Sequence, residues 1–245
     1  MSDARLMTWG VGERGGLAVG EREPLELLLL QLECERIGVV DGDTLVRLPG
    51  ERPDGIPRFY VAELASGVTR YYRDDLPTGA RAELAALPAE RARDDHAAVQ
   101  RILARHAPCT NIWAGASYYF PDGVVSEADY PDVVALDWSR RAEVERFDAE
   151  MLSFGWPVYA VLRDGEIAAT CVSTREIERA GEAWVQTAPA YRGRGYARQV
   201  TAAWGAALLR RGKVAFYSHA LDNAASAGVA RTLGLTPYLH DVGYL

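Results

Sequence analysis

Cysteine is scarce: Cys34, Cys109 and Cys171 are the only three in 245 residues. They lie far apart, with no CxxC and no nearby histidine pair, so neither a zinc site nor a disulfide framework is indicated. Three reduced thiols in a cytoplasmic protein are the expectation. A basic surplus is also missing. The 27 Lys and Arg face 34 Asp and Glu, for a net charge of -7 and a pI near 5.2. That balance argues against a nucleic-acid partner. Apolar runs are short, Leu27–Leu30 among them, and nothing approaches the roughly 20 residues of a membrane span. The first residues lack the basic-then-apolar order of a signal peptide.

What remains is ordinary globular material, 49% hydrophobic and 25% charged, long enough for one large domain or two small ones. Residues 1–23 are rich in glycine and charge and read as irregular. A helix is expected over 24–37, with Pro24 in its first turn and Gly38 as its stop. Turn signals crowd 39–57, and strands follow at 58–64 and 68–73. Helices are expected at 79–87 and 94–106, and a strand at 115–120. From residue 131 the pattern sharpens. It gives a strand at 133–136, then a helix over 139–153 with Ser139 as its cap. Strands at 157–163 and 166–174 are joined by Asp164-Gly165, a two-residue hairpin signal. A strand at 182–187 ends before Pro189, and a helix follows over 193–211. A strand at 214–219, a helix capped by Asp222 or Asn223 and a last strand at 236–244 complete the chain. Antiparallel hairpins mixed with helical crossovers define an α/β class with a mixed sheet. The division falls into residues 1–130, an accessory α/β half, and 131–245.

The stretch Val185-Gln186-Thr187-Ala188-Pro189-Ala190-Tyr191-Arg192-Gly193-Arg194-Gly195-Tyr196-Ala197 joins a strand to an amphipathic helix. The first turn of a helix has amides without internal partners, at the positive end of the dipole. Gly193 and Gly195 let a ligand come close to the backbone, and Arg192, Arg194 and Arg198 add charge. That combination suits a phosphate or diphosphate. It is neither a P-loop nor a full dinucleotide fingerprint, whose third glycine would fall on Arg198.

Arg192, Gly195 and Ala197 follow the pattern Gln/Arg-x-x-Gly-x-Gly/Ala, after a strand ending Thr187-Ala188-Pro189. Asn223, Ser226, Leu233 and Gly234, with Leu235 in place of phenylalanine, follow Asn-x-x-Ala/Ser…Leu-Gly-Phe. With both motifs in order and in register, the chain resembles the GNAT acetyltransferase superfamily over about 131–245. The resemblance implies acetyl-coenzyme A as co-substrate, no metal, and a small-molecule or protein amine as acceptor. It implies a pantetheine arm between the strands 182–187 and 214–219, bonded by the backbone at Val185, Gln186 and Thr187. The diphosphate would sit on Arg192, Gly193, Arg194, Gly195, Tyr196 and Ala197, and Asn223 and Ser226 would flank the arm.

A protonated amine needs a base. Glu182, at the head of the central strand, is the first candidate and Glu166 a weaker one. Where the family usually places a tyrosine as general acid, this chain has Ala230. Tyr217 and Ser218 on the neighbouring strand are the substitutes. His219 is also near, though a lone histidine is more often structural. The rival readings are a non-catalytic acyl-coenzyme A sensor and an unrelated phosphate-binding module. Residues 1–130 carry no motif, and a diverged second copy of the same fold is one reading of them. Oligomeric state is open, a homodimer included.

Overall fold

The computed structural model describes residues 22–49, 55–109, 111–126 and 130–245. The irregular stretch expected at 1–23 falls almost wholly outside them. The contacts divide the chain into two compact units, one of Glu23–Ser117 with Tyr238–Leu245, the other of Tyr118–Pro237.

The first unit contains α1 (Pro24–Cys34), β1 (Ile37–Val40), β2 (Thr44–Arg47), β3 (Phe59–Leu64) and β4 (Gly67–Arg73). It continues with α2 (Thr78–Ala86), α3 (Ala89–Asp94), α4 (His96–Ala104), β5 (Ile112–Tyr119) and, from the far end of the chain, β11 (Thr236–Tyr244). The strands run in the order β1-β2-β4-β3-β11-β5. Phe59, Val61 and Tyr72 from the sheet bury against Leu84 and Leu103 from the helices, closed by Val242 and Tyr244 of β11. Arg58 donates to the carbonyls of Leu103 at 3.1 Å and Ala107 at 2.8 Å, which ties the start of β3 to the end of α4 and the turn after it. Asp241 is buried on β11. Its carboxyl is pushed up to about 7, first by loss of water and then by the nearby Glu35, with Tyr60 and Trp113 opposing the shift.

The second unit contains β6 (Val133–Leu136), α5 (Arg141–Phe147), β7 (Val158–Arg163), β8 (Glu166–Glu176), β9 (Ala180–Thr187), α6 (Tyr196–Arg210), β10 (Val214–Ala220) and α7 (Ala224–Leu233). Its strand order is β10-β9-β8-β7-β6. β6 through β9 pair antiparallel, and α6 carries the chain to β10 parallel to β9. The α/β class with a mixed sheet is therefore observed. Asp164 and Gly165 both take positive φ, 54° and 83°, as a two-residue turn whose twist matches its strands requires.

One face of this sheet buries Val200, Trp204 and Leu208 of α6 and Leu233 of α7 against Ala169, Cys171, Ala215 and Tyr217. The other buries Val144 of α5 with Met151 and Phe154 against Val158, Ala160 and Val172. Ala202, Ala203, Gly205, Ala206 and Ala207 are all buried in α6, so small side chains bring that helix close to its neighbours. A Cβ on Gly205 would lie 2.4 Å from the Phe120 ring.

Three expectations change. The run expected as one helix over 139–153 is a 3-10 turn at Trp138–Arg140, then α5, then a second 3-10 turn at Ala149–Ser153. Asp148 breaks it by accepting from the Glu150 amide at 2.9 Å, a local bond that competes with the helix. Asp137, not Ser139, caps the first turn. Within the turn-rich stretch after Gly38, Ile37–Val40 and Thr44–Arg47 form an antiparallel hairpin.

Candidate functional site

β9 is held on one side and released on the other. It pairs with β8 from Gly181 to Thr187, whereas its ladder with β10 consists of Val214↔Ala180, Ala215↔Gly181 and Phe216↔Glu182. Beyond Phe216 both strands continue, β9 to Thr187 and β10 to Ala220, with no further ladder pair among the described residues. The β8–β9 register shifts between Ser173 and Arg175, opposite Ala183 and Glu182. A bulge raises local twist and bends a strand, and it lies at the level where β9 leaves β10. The result is a wedge whose walls are Ala183–Thr187 and Tyr217–Ala220.

Alternation sorts the residues of this wedge onto two faces. Ala183 and Val185 pack with the α6 core, and Tyr217 is buried within it. Trp184 sits opposite Val172, on the α5 side. Glu182 and Gln186, two residues either way, share that side, as does Ser218, two beyond the Phe216 that pairs with Glu182. The structure brings two of the expected catalytic residues together: the Ser218 hydroxyl donates to Glu182 Oε1 at 2.5 Å. Glu182 is 3% exposed and Ser218 partly exposed, so the serine stands between the carboxylate and the solvent-accessible wedge.

The third expected catalytic residue, Tyr217, is on the opposite face. It donates to the Ser226 carbonyl at 3.3 Å, and burial pushes its phenol up to about 12. His219 is held structurally. Its Nδ1 lies 2.9 Å from the Ala220 carbonyl and its Nε2 3.3 Å from the Tyr118 hydroxyl, with the two rings stacked. Glu166 is exposed near the β7–β8 turn.

At the end of β9 the chain makes a short 3-10 turn at Pro189–Tyr191 and enters α6 through Gly195, which is left-handed at φ 78° and supplies no side-chain cap. Gly193 is also left-handed, at φ 75°. A Cβ on either glycine would meet nothing within 4 Å, so the outer side of both glycines borders open space. The first amides of α6 lack intrahelical partners by geometry, and its N-cap residue, a glycine, makes no side-chain bond in their place. Arg192 is exposed, with its Nε 3.4 Å from the Thr187 carbonyl. Arg194 lies 5.4 Å over the Tyr191 ring. Sequence reasoning missed Arg163, which stands 4.9 Å over the Tyr196 ring and donates to its hydroxyl at 3.0 Å. It comes from β7, and no local signal ties it to Tyr196.

The start of α7 is different. Asn223 Oδ1 accepts from the Ser226 amide at 3.0 Å, so the side chain is spent on capping. Ala230, at the position expected for a tyrosine, is fully buried in the α6 core; a ring there would have to displace core side chains rather than reach the wedge.

On the α5 side, a cavity of about 330 Å³ is lined by Glu143, Arg146, Phe147, Gln186, Thr187 and Arg192, among others. Gln186 Oε1 and Trp156 Nε1 are buried there or nearby without a hydrogen-bond partner. No cluster of metal-ligating side chains occurs among the described residues, and no helix among them is long and apolar enough to cross a membrane.

An uncapped helix N-terminus at the mouth of two parting parallel strands is the arrangement the two motifs imply. The family model of the GNAT acetyltransferases matches residues 142–239, which takes in both. Among solved structures, a GNAT-family protein from Novosphingobium aromaticivorans is 24% identical, with 56% of this chain matched, 66% of the other and a TM-score of 0.44. The chain thus spans just under two thirds of that protein's length. A GCN5-related N-acetyltransferase-like protein from Streptococcus suis is 15% identical, covering 78% and 85%, with a TM-score of 0.47. A GNAT-family acetyltransferase from Colwellia psychrerythraea is 12% identical, covering 85% and 79%, at 0.46. No match is found among curated proteins. Residues 142–239 belong to the GNAT acetyltransferase family.

Proposed function

We propose that this protein is an N-acetyltransferase that moves an acetyl group from acetyl-coenzyme A to a primary amine by direct attack on the thioester. One observation carries the reading: the wedge between β9 and β10 opens beside an α6 N-terminus that no side chain caps. The residues fit the co-substrate. Amides of Gly193, Arg194, Gly195, Tyr196 and Ala197, with Arg192, would hold the diphosphate. The β9 edge at Val185, Gln186 and Thr187, unpaired toward β10, offers backbone groups to an amide-bearing arm. Asn223 would present its remaining NH2 group, and Ser226 its hydroxyl, from the other side.

The thioester supplies an activated acyl carbon, and the chain's own groups supply the proton handling. An alkylamine has a pKa of about 10.4 and arrives protonated. Ser218, bonded to Glu182, accepts that proton and passes its own to the carboxylate, so a buried base serves an amine it does not touch. The amine lone pair then attacks the carbonyl carbon and the C–S bond breaks. A phenol pushed up to about 12 is a weaker acid than a thiol of pKa about 8.5. Full transfer from Tyr217 to the departing sulfur would run uphill, and its one O–H is already given to the Ser226 carbonyl, so solvent supplies the proton. Positioning provides much of the remaining acceleration.

The division of labour follows: the C-terminal half, 131–245, is catalytic and the N-terminal half accessory. Three cysteines outside any disulfide fit a reducing cytoplasm. Titration calorimetry with acetyl-coenzyme A, followed by thiol release with a panel of primary amines, tests the proposal. Saturable binding and amine-dependent thiol release are expected. Absence of binding would remove the reading; binding with no turnover on any amine would turn it into a sensor.

A further inference from the structure

We propose that Trp184, with Phe154, Trp156 and Trp138, forms an aromatic subsite for the acceptor, and that the acceptor is an amine carrying an aryl ring two carbons from its nitrogen. The proposal rests on the acyltransferase reading above and names its substrate class.

Trp184 is a large apolar side chain at the middle of β9, yet it is 40% exposed. It lies on the wall of the wedge rather than under a helix. Its ring meets Phe154 at 5.6 Å. Two residues on, Trp156 meets Trp138 edge-to-face at 5.1 Å, and Trp138 is 53% exposed. The Phe154–Trp156 segment is fixed to the sheet by the Gly155 amide, which donates to the Ser173 carbonyl at 3.0 Å. The two ring pairs therefore line one anchored segment. The exposed members face solvent on the α5 side, where Glu182 and Ser218 also point.

Isolated exposed apolar residues need no explanation. These are two ring pairs joined by one segment, and one of the rings is the strand neighbour, at i+2, of the candidate base. The parallel register Phe216↔Glu182 puts Ser218 level with Trp184 on the facing strand, one strand spacing of about 5 Å or a little more where the strands part. Two methylenes span that gap, so an amine nitrogen at Ser218 places its aryl group on Trp184. The charged groups of this face do not favour a polycation instead. Asp137 is bonded to the Ser139 amide and hydroxyl, and Glu143 to Arg140.

The test compares phenethylamine, tryptamine, n-hexylamine and spermidine as acceptors with acetyl-coenzyme A. The two arylalkylamines should show KM values about tenfold below those of the other two, the size of a stacking contact plus burial. W184A should erase that preference, W184F should restore most of it, and coenzyme A affinity by calorimetry should stay unchanged in both. Equal KM values across the panel, or a W184A effect shared by hexylamine, would overturn the subsite while leaving the acetyltransferase standing. Failure of wild-type protein to bind coenzyme A would instead remove the underlying reading. If coenzyme A binds and no amine turns over, saturation-transfer NMR with phenethylamine on the coenzyme A-loaded protein decides. Ring-proton saturation that is lost in W184A supports the subsite; no saturation overturns it. Should W184A not fold, W138A takes its place, with a smaller rise in KM expected for tryptamine than for W184A and no change expected for hexylamine; unchanged tryptamine KM counts against the cluster.

Discussion

α6 and α7 both begin at the open end of the second unit's central strands, and they treat their first amides in opposite ways. α7 spends a side chain on them, with Asn223 Oδ1 on the Ser226 amide. α6 begins at a left-handed glycine, offers no side chain, and is preceded by a second left-handed glycine with open space around it. A Ser, Thr, Asp or Asn at such a position typically stabilises a protein by about 1 kcal/mol over alanine and by a few tenths over glycine. One helix takes that stabilisation and the other forgoes it. Free amides beside a parted pair of strands are what the proposed anion site requires.

The largest effect should come from filling the uncapped end. Gly195→Val puts a β-branched side chain at φ 78°, a conformation such residues rarely adopt. Acetyl-coenzyme A affinity should fall by about 100-fold or more, because the amides turn away from the diphosphate; unchanged affinity in calorimetry would end the contrast. Next is Glu182→Gln, which keeps shape and removes the base. It should lower kcat about 100-fold with cofactor affinity intact. A parallel loss of affinity would mean that Glu182 holds the wedge rather than moving protons.

A change in the other unit gives a control independent of both helices. In the unfolded chain the Asp241 carboxyl titrates near 3.9, and in the folded chain it is pushed up to about 7. Between those values the folded state keeps a proton that the unfolded state has lost. Stability from this group is therefore complete below about pH 4 and declines as pH rises through 7. Asp241→Asn should melt about 2–4 °C above the parent at pH 8, the gap closing toward pH 4, with acetyl transfer unaffected. The smallest effect sharpens the contrast most. Asn223→Ala should cost about 1 kcal/mol of stability, read as a melting shift, and change cofactor affinity less than threefold. If it weakens binding as strongly as Gly195→Val, both helix ends are ligand sites and the difference between them dissolves.

The uncapped turn was legible because its signals are local. Two glycines stand between a strand stopped by proline and a run with helical period, and the structure starts α6 at Tyr196. Asp164-Gly165 was legible for the same reason. The β1–β2 hairpin was not: Ile37–Val40 is short and buried throughout, with no alternation to mark a face. Only the turn at Asp41 and Gly42, both at positive φ, was visible. The helix expected over 139–153 failed at one residue, Asp148, whose preference for its own neighbour's amide outweighed an apolar period that continued past it. In the candidate site, Glu182 and Ser218 could be named separately, but their bond depends on the register Phe216↔Glu182, which no single strand encodes. Nothing in the sequence around Trp184 marks it out; only the fold shows it 40% exposed on the wall of the wedge.

Gly205 lies almost three turns along α6 from the uncapped turn, and a methyl group there would collide with Phe120. A helix is stiff along its axis, so its first amides can be aimed only as well as its body is seated. Side-chain size at a buried position far from any ligand thereby becomes a sight adjustment: enlarge it, and the far end of the rod swings off target while every residue that would touch the anion remains in place.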